Sequence, residues 1–180
     1  MTAQAISTER LLLRRWKPRD YAPFAEMCAD PEVMRFIGSG AIMTGDQVAA
    51  DIEKYEASWE ADGYGQFAVE LKRTGTFIGF AGLGVFALLP EYASFTEIGW
   101  RFTRKCWGNG YATEAAKAVM AFAQKNRGLD NIVGVCQTQN VASERVMQKI
   151  GMSLERDSIA PNNGRSIRIY TLKKPEISAV

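Results

Sequence analysis

Apolar and polar positions change period several times along the chain, and each change marks an element. The run Leu11, Leu12, Leu13 within residues 9–16 predicts a first strand, too contiguous for alternation to assign its faces. Pro18 then opens a helix that carries Tyr21, Phe24, Ala25 and Cys28 on one face and stops at Asp30-Pro31. Thr44 followed by Gln47 is a capping-box pattern. It introduces a helix whose Val48, Ile52, Tyr55 and Trp59 form an apolar stripe ending before Gly63. From Phe67 the period falls to two. Phe67, Val69 and Leu71 alternate with Ala68, Glu70 and Lys72, the pattern of a half-buried strand. Thr74-Gly75 supplies a turn, and residues 76–85 return as a second strand.

After Pro90, residues 95–102 read as a strand and residues 108–127 as a long helix. Its Ala112, Ala115, Ala116, Val119 and Ala123 share a face, and Gly128 stands at the C-cap. Residues 132–136 form a short buried strand. Asn140 caps a helix with Ala142, Val146 and Ile150, which Gly151 ends. Residues 152–156 and 167–172 close the chain as a hairpin around Pro161-Asn162-Asn163-Gly164. The strand–helix–strand unit over 95–136 favours a parallel pair with a right-handed crossover. The expected fold is therefore α/β with mixed α+β content: a mixed sheet of about seven strands flanked by about four helices. No repeat, low-complexity tract or linker interrupts it, so residues 1–180 read as a single domain.

Composition narrows the chemistry. The chain has 22 basic and 20 acidic side chains, a net charge of +2. That is too small to mark a nucleic-acid or membrane-surface binder. It contains no histidine. A Ser-His-Asp triad, a Cys-His pair and a His-ligated metal are all excluded, and no metal is expected. An enzyme built from these residues needs a carboxylate, a tuned Lys or Tyr, or the substrate itself as base. Cys28, Cys106 and Cys136 are odd in number and widely spaced, which fits neither a disulfide framework nor a zinc site. They suggest a reducing compartment, and the first seventeen residues lack a signal peptide's apolar core. The chain reads as cytoplasmic.

The strongest local signal is Trp107-Gly108-Asn109-Gly110-Tyr111-Ala112-Thr113, joining a strand to a helix. Small residues there let a ligand approach the backbone, and the free N–H groups of the first helical turn face it. Arg101, Arg104 and Lys105 lie nearby in sequence with no acid between residues 98 and 113. Backbone donors with local positive charge suit a pyrophosphate. The run Gly82-Leu83-Gly84 matches a dinucleotide fingerprint only loosely, because Pro90 arrives where that motif needs a helix.

The residues Phe95-Thr96-Glu97-Ile98-Gly99-Trp100, the Trp107–Ala115 run, Asn140-Val141-Ala142-Ser143 and Lys149-Ile150-Gly151-Met152 occur in a definite order. Together they resemble the GNAT superfamily of acetyl-CoA-dependent N-acetyltransferases. Thr8-Glu9-Arg10-Leu11, Leu13-Arg14 and Asp30-Pro31-Glu32-Val33-Met34 are similar to its RimJ/RimL-like branch. The resemblance spans nearly the whole chain. It implies a strongly twisted, mostly antiparallel sheet with one parallel crossover, and acetyl-CoA as co-substrate. The family's pyrophosphate pattern becomes Trp107-x-x-Gly110-x-Ala112, with Trp where Gln or Arg is usual. Lys105, Trp107, Gly108, Asn109, Gly110, Tyr111, Ala112 and Thr113 are then expected to hold the phosphates. The pantetheine arm is expected along Ile98, Trp100 and Phe102, between splayed parallel strands, with Asn140 at its far side.

The implied reaction is direct attack of an amine on the thioester. Glu97 resembles the family's general base, although without the family a solvated strand carboxylate or a salt-bridge partner is the better explanation. Met147 occupies the position where many members place a tyrosine acid, so that role is absent. Ser143 resembles the donor of the RimL-like branch, and Tyr170 is a weaker candidate. Asn140 and Ser143 also suit a plain helix cap and first turn. Without histidine to activate them, Cys106 and Cys136 read as ordinary thiols. The cluster Arg10, Arg14, Arg15, Lys17, Arg19 reads as a solvated strand end rather than an RNA contact. The acceptor amine is not legible: protein N-termini, aminoglycosides, polyamines and small amino acids all fit. Its cleft is expected between residues 30–44 and 158–166, where Asp30, Glu32, Asp46 and Asp157 are available to attract an amine. A non-catalytic coenzyme A sensor of the same fold is the alternative, and a homodimer stays open.

Overall fold

A computed structural model describes residues 5–172. One sheet runs in the order β1-β2-β3-β4-β5-β6-β8-β7. Its strands are β1 (Ile6–Ser7), β2 (Leu11–Arg14), β3 (Gln66–Leu71), β4 (Phe77–Val85), β5 (Thr96–Phe102), β6 (Ile132–Gln137), β7 (Ser153–Ile159) and β8 (Ser166–Leu172). Neighbours are antiparallel except β5 and β6. The expected mixed fold is present, with an eighth strand in the two-residue β1 and a fifth helix in α2 (Pro31–Met34). The other helices are α1 (Tyr21–Cys28), α3 (Gly45–Asp62), α4 (Tyr111–Arg127) and α5 (Val141–Lys149). Of the single domain expected over residues 1–180, residues 1–4 and 173–180 lie outside the described residues.

Two layers of helix sandwich the sheet. Ile98, Phe102, Ile132 and Leu83 meet Ala115, Ala116, Val119 and Met147 on one face, so α4 and α5 cover it. Phe24, Cys28, Val33, Val48 and Phe80 pack together on the other, under α1, α2 and α3. A third cluster of Phe86, Tyr92, Val133 and Ile169 backs β6 and β8.

This double cover corrects the half-buried reading of β3. Ala68 and Glu70 are buried as well as Phe67 and Val69, because both faces carry helices. The arginine cluster is corrected too. Arg14 is 5% exposed and donates to both Asp20 oxygens at 2.7 and 2.8 Å and to Glu70 at 2.8 Å. Arg15 pairs with Glu56 and Glu60 on α3. A charge can be buried when carboxylates saturate its donors, and sequence distance hid Glu70 from Arg14.

The capping predictions hold at the atomic level. Thr44 accepts from Gln47 N at 3.3 Å while Gln47 Oε1 accepts from Thr44 N at 2.8 Å. Gly128 ends α4 with φ 63°. The long helix itself starts at Tyr111 and not at residue 108, since Gly108 and Gly110 have φ of 78° and 80° and a right-handed helix cannot include them. The glycines of β4 serve close packing: a Cβ at Gly82 would lie 2.3 Å from Gly65 O. The last hairpin turns at Pro161–Gly164 as expected, and its β7 runs to Ile159 as an exposed edge.

Candidate active site

Between β5 and β6 the register contains only Thr96 opposite Ile132 and Glu97 opposite Val133. Beyond Glu97 the strands part, although β5 stays paired to β4 through Phe102 and β6 to β8 through Gln137. A wedge is left whose edges are the backbones of residues 98–102 and 134–137. Open strand edges offer unpaired N–H and C=O groups to an extended polar chain.

At one end of the wedge lies the glycine loop. Asn109 Nδ2 donates to the carbonyls of Cys106 (3.2 Å) and Trp107 (3.1 Å), and Trp107 Nε1 donates to Phe102 O at 2.8 Å. Half of the Trp107 surface is exposed. Residues Tyr111, Ala112 and Thr113 form the first turn of α4, whose N–H groups precede any helical acceptor. Arg10 braces this turn from β2's approach: Nη1 donates to Asn109 O (3.0 Å), Nε to Glu114 (2.7 Å), and the guanidinium lies 4.6 Å from the Tyr111 ring centre. Glu114 also accepts from Thr8 Oγ1 and Arg10 N. Burial pushes its carboxyl up, but these bonds outweigh it and hold it below the usual range.

Beside Gly110 and Thr113 a groove of about 400 Å³ is lined by Lys117 and Lys149 as well as Glu9 and Glu114. Neither lysine was legible as a site residue. Lys117 follows Thr113 by one helical turn, a signal the sequence contains; Lys149 reaches the groove only because α5 packs on α4. Of the three nearby bases, Arg104 pairs with Asp30 (3.1 Å) and Arg101 turns to the opposite face of the sheet, while Lys105 stays exposed.

Glu97 stands at the vertex of the wedge. Ile98, Trp100 and Phe102 turn toward α4, so Glu97, Gly99 and Arg101 face the α1–α3 side. Burial pushes the Glu97 carboxyl up to about 7, against a pull downward from the Lys54 charge. A carboxylic acid at that value is half ionised near neutrality and can take or give a proton there.

The other predicted residues have defined settings. Asn140 Oδ1 caps α5 by accepting from Ser143 N at 3.2 Å, and Ser143 is partly exposed in the first turn. Tyr170 is 2% exposed; its Oη donates to Glu144 (2.7 Å) and accepts from Gln148 (3.2 Å). Burial and the Glu144 bond raise its pKa, which disfavours it as a freely titrating acid. Met147 is 1% exposed and packs against Gly134, where a Cβ would approach its sulfur to 2.8 Å. The thiols of Cys28 and Cys106 are raised by burial, and that of Cys136 is pushed up to about 11. None of these three is an activated nucleophile.

On the far side of the wedge, the segment after α2 is tied to the last hairpin. Gln137 Nε2 donates to Phe36 O (3.1 Å), Asn163 Nδ2 to Gly38 O (3.0 Å), and Arg165 to Arg35 O (3.1 Å) and Gln137 Oε1 (3.0 Å). Both walls expected for an acceptor cleft are thus in contact. Asp30 and Asp157 are engaged there with Arg104 and Arg168, so two of the four acids expected to attract an amine are already paired.

Residues 10–153 match the family model described as acetyltransferase (GNAT) domain. The chain belongs to the GNAT acetyltransferase family. It is 33% identical over 150 residues to the uncharacterized N-acetyltransferase YnaD of Bacillus subtilis, covering 83% of each chain. It is 32% identical over 136 residues to the FsC-acetyl coenzyme A-N(2)-transacetylase of Aspergillus fumigatus, spanning 69% of this chain and 54% of that one. A GNAT-family acetyltransferase from Bacillus anthracis superposes with a TM-score of 0.80 at 29% identity, covering 94% of this chain and 98% of that one. RimL, a ribosomal L7/L12 α-N-protein acetyltransferase solved with coenzyme A, shares the fold at a TM-score of 0.77 and 12% identity, with 93% and 97% covered. This GNAT chain is an N-acetyltransferase that uses acetyl-CoA and an amine. Among the described residues no helix is long and apolar enough to cross a membrane.

Proposed function

We propose that this acetyltransferase transfers acetyl to a primary amine by direct attack, with Glu97 as the base at the wedge vertex. The observation that carries the reading is the coincidence of two features at one residue. Glu97 closes the parallel ladder, and burial holds its carboxyl at about 7. When bound, acetyl-CoA supplies a thioester whose carbonyl carbon accepts the amine's lone pair as the carbon–sulfur bond breaks.

The chain fits that co-substrate. The left-handed Gly108 and Gly110 expose the N–H groups of the first α4 turn to a pyrophosphate, and Lys117 and Lys149 add positive charge beside them. The open edges of residues 98–102 and 134–137 offer backbone partners to the pantetheine amides. Glu97 removes a proton from the ammonium form of the acceptor, since an ammonium has no lone pair to give. Ser143 Oγ, at the N-terminal turn of α5, donates toward the departing sulfur, with Asn140 fixing that turn. Tyr170 stays in the core, its hydroxyl held by Glu144.

Calorimetric titration of acetyl-CoA into the wild type and Gly110→Glu tests the reading, followed by thiol release with a panel of amines. Micromolar binding lost in the variant supports the cradle. No binding by the wild type overturns the site, and binding without turnover on any amine favours a sensor.

A further inference from the structure

Among the described residues, the buried side-chain atoms without a hydrogen-bond partner are Gln66 Oε1 and Arg101 Nε. Both belong to the sheet face that carries Glu97. Gln66 lies opposite Gly82, Gly82 opposite Gly99, and Gly99 stands between Glu97 and Arg101 on β5. A Cβ at Gly99 would meet nothing within 4 Å, and one at Gly84, opposite Glu97, only Gln66 Nε2 at 3.9 Å. Gly84 and Gly99 therefore leave room beside the expected base, while Gln66 Oε1 sits over the tightly packed Gly82 and Arg101 stands on the other side of Gly99.

Among the described residues no carboxylate forms an ion pair with Arg101. Its Nη1 meets Cys28 Sγ at 3.2 Å and Met43 Sδ at 3.6 Å, and the guanidinium lies 5.3 Å from the Phe80 ring centre. Sulfur is a weak acceptor. Asp51, whose charge reaches Cys28 and Tyr55, accepts from Tyr55 Oη at 3.3 Å and forms no ion pair with Arg101. Arg14 shows what this chain does with a buried arginine whose role is structural: two carboxylates saturate it. Arg101 is half-buried, with sulfur and ring partners and an unpaired buried Nε that a ligand could complete.

We infer that the acceptor is an amine carrying a carboxylate, which Arg101 receives while the amine reaches Glu97 and Gln66 Oε1 accepts an N–H of the same molecule. The inference rests on the proposed function and names its substrate class. Four residues along a strand place the Glu97 and Arg101 Cα atoms about 13 Å apart. Gly99 separates the two side chains on that face and no ion pair joins Glu97 to Arg101, so amine and carboxylate belong at opposite ends of the acceptor, as in an ω-amino acid or a dipeptide.

The test compares kcat/KM for 6-aminohexanoate and 6-aminohexanamide, which differ only in the anion, in wild type and Arg101→Met. A preference of ten- to hundredfold for the acid in wild type, falling to about onefold in the variant, is expected. Acetyl transfer to both amines at equal rates overturns the inference and leaves the acetyltransferase reading intact. Acetyl-CoA titration shows that the variant keeps its cofactor cleft. A second readout is independent of turnover: the shift in melting temperature with 6-acetamidohexanoate against 6-acetamidohexanamide. Stabilisation by the acid alone, lost in Arg101→Met, supports the inference even if neither amine is acetylated; no difference between the two overturns it. A failure of wild type to bind acetyl-CoA would sink the proposed function separately.

Discussion

Glu97 and Val133 form the last rung between β5 and β6, and the strands separate immediately after them. A parallel ladder that stops while each strand keeps its outer partner makes a gap with two rigid walls. Glu97 sits where that gap is narrowest, buried enough to raise its carboxyl and open enough to meet a ligand. Position and proton affinity thus have the same structural cause.

That cause has a pH signature. The Glu97 carboxyl has a folded value of about 7 against an ordinary 4.5, so between these values the folded chain holds a proton the unfolded chain has lost. Its contribution to stability is full below about pH 4.5 and is lost as pH rises through about 7. Glu97→Gln should melt above wild type at pH 8, by about 2 kcal/mol after allowing for the residue's partial exposure. At pH 4 the two should melt together. Turnover should fall by roughly 10²–10⁴, and wild-type kcat should climb with pH through about 7. A variant that melts lower than wild type at pH 8 would mean that the carboxylate is structural.

The glycine loop invites a different measurement. Gly110 has φ 80°, and a Cβ there would lie 3.5 Å from Arg10 Nη2, an ordinary contact. Gly110→Ala is therefore a conformational perturbation without a clash, costing about 1–2 kcal/mol. Calorimetry should show acetyl-CoA binding at least tenfold weaker, because rotating the peptide out of the left-handed region re-aims the N–H groups of the α4 turn. Unchanged affinity would argue that those groups do not bind phosphate.

Local signals in the sequence carried most of the fold. The Thr44–Gln47 box, the Asn140 cap, Gly128 and the Asn163-Gly164 turn depend on neighbours within four residues, and each behaves as its chemistry dictates. Contacts across the sheet were not legible. Nothing near Arg14 announces that Glu70 will be its partner 56 residues away, so a buried network looked like a solvated basic cluster. The loop residues 107–113 could be singled out because their chemistry is contiguous. Lys149 and Gln66 could not, and Arg101 stood out only as a base near the phosphate loop, from which the fold turns it away; what these residues do depends on what the tertiary fold puts beside them or leaves unpaired.

The buried network supplies a stability test that is independent of the site. Asp20 accepts from Arg14 Nη1, Arg14 Nη2 and Lys17 N, and its side chain is 1% exposed. Asp20→Asn replaces an acceptor oxygen by a donor and leaves Arg14 partly uncompensated, at a cost of about 3 kcal/mol. Arg19, 60% exposed at the rim of the same network, should cost under about 0.5 kcal/mol as Arg19→Gln. Denaturant unfolding of both variants measures the contrast. Equal losses would mean that solvent reaches Arg14.

Met147 stands where the family resemblance implies a tyrosine acid, and its packing predicts that a tyrosine will not fit there. The Met147 sulfur lies where a Cβ on Gly134 would come within 2.8 Å, and the side chain is 1% exposed. The helix and the strand are therefore fitted to each other through a glycine and a flexible thioether. Met147→Tyr inserts a ring and a hydroxyl into that contact. The neighbouring hydroxyl of Tyr170 already occupies Glu144 and Gln148, so the new one would find few partners. Overpacking of this kind costs about 1–3 kcal/mol, and turnover should not rise, because a displaced α5 carries Ser143 and Asn140 with it. The melting temperature and the rate of thiol release, measured on one preparation, check both halves. A faster enzyme at unchanged stability would show that the wedge has room for a tyrosine acid, and would move the proton donor from Ser143 to position 147.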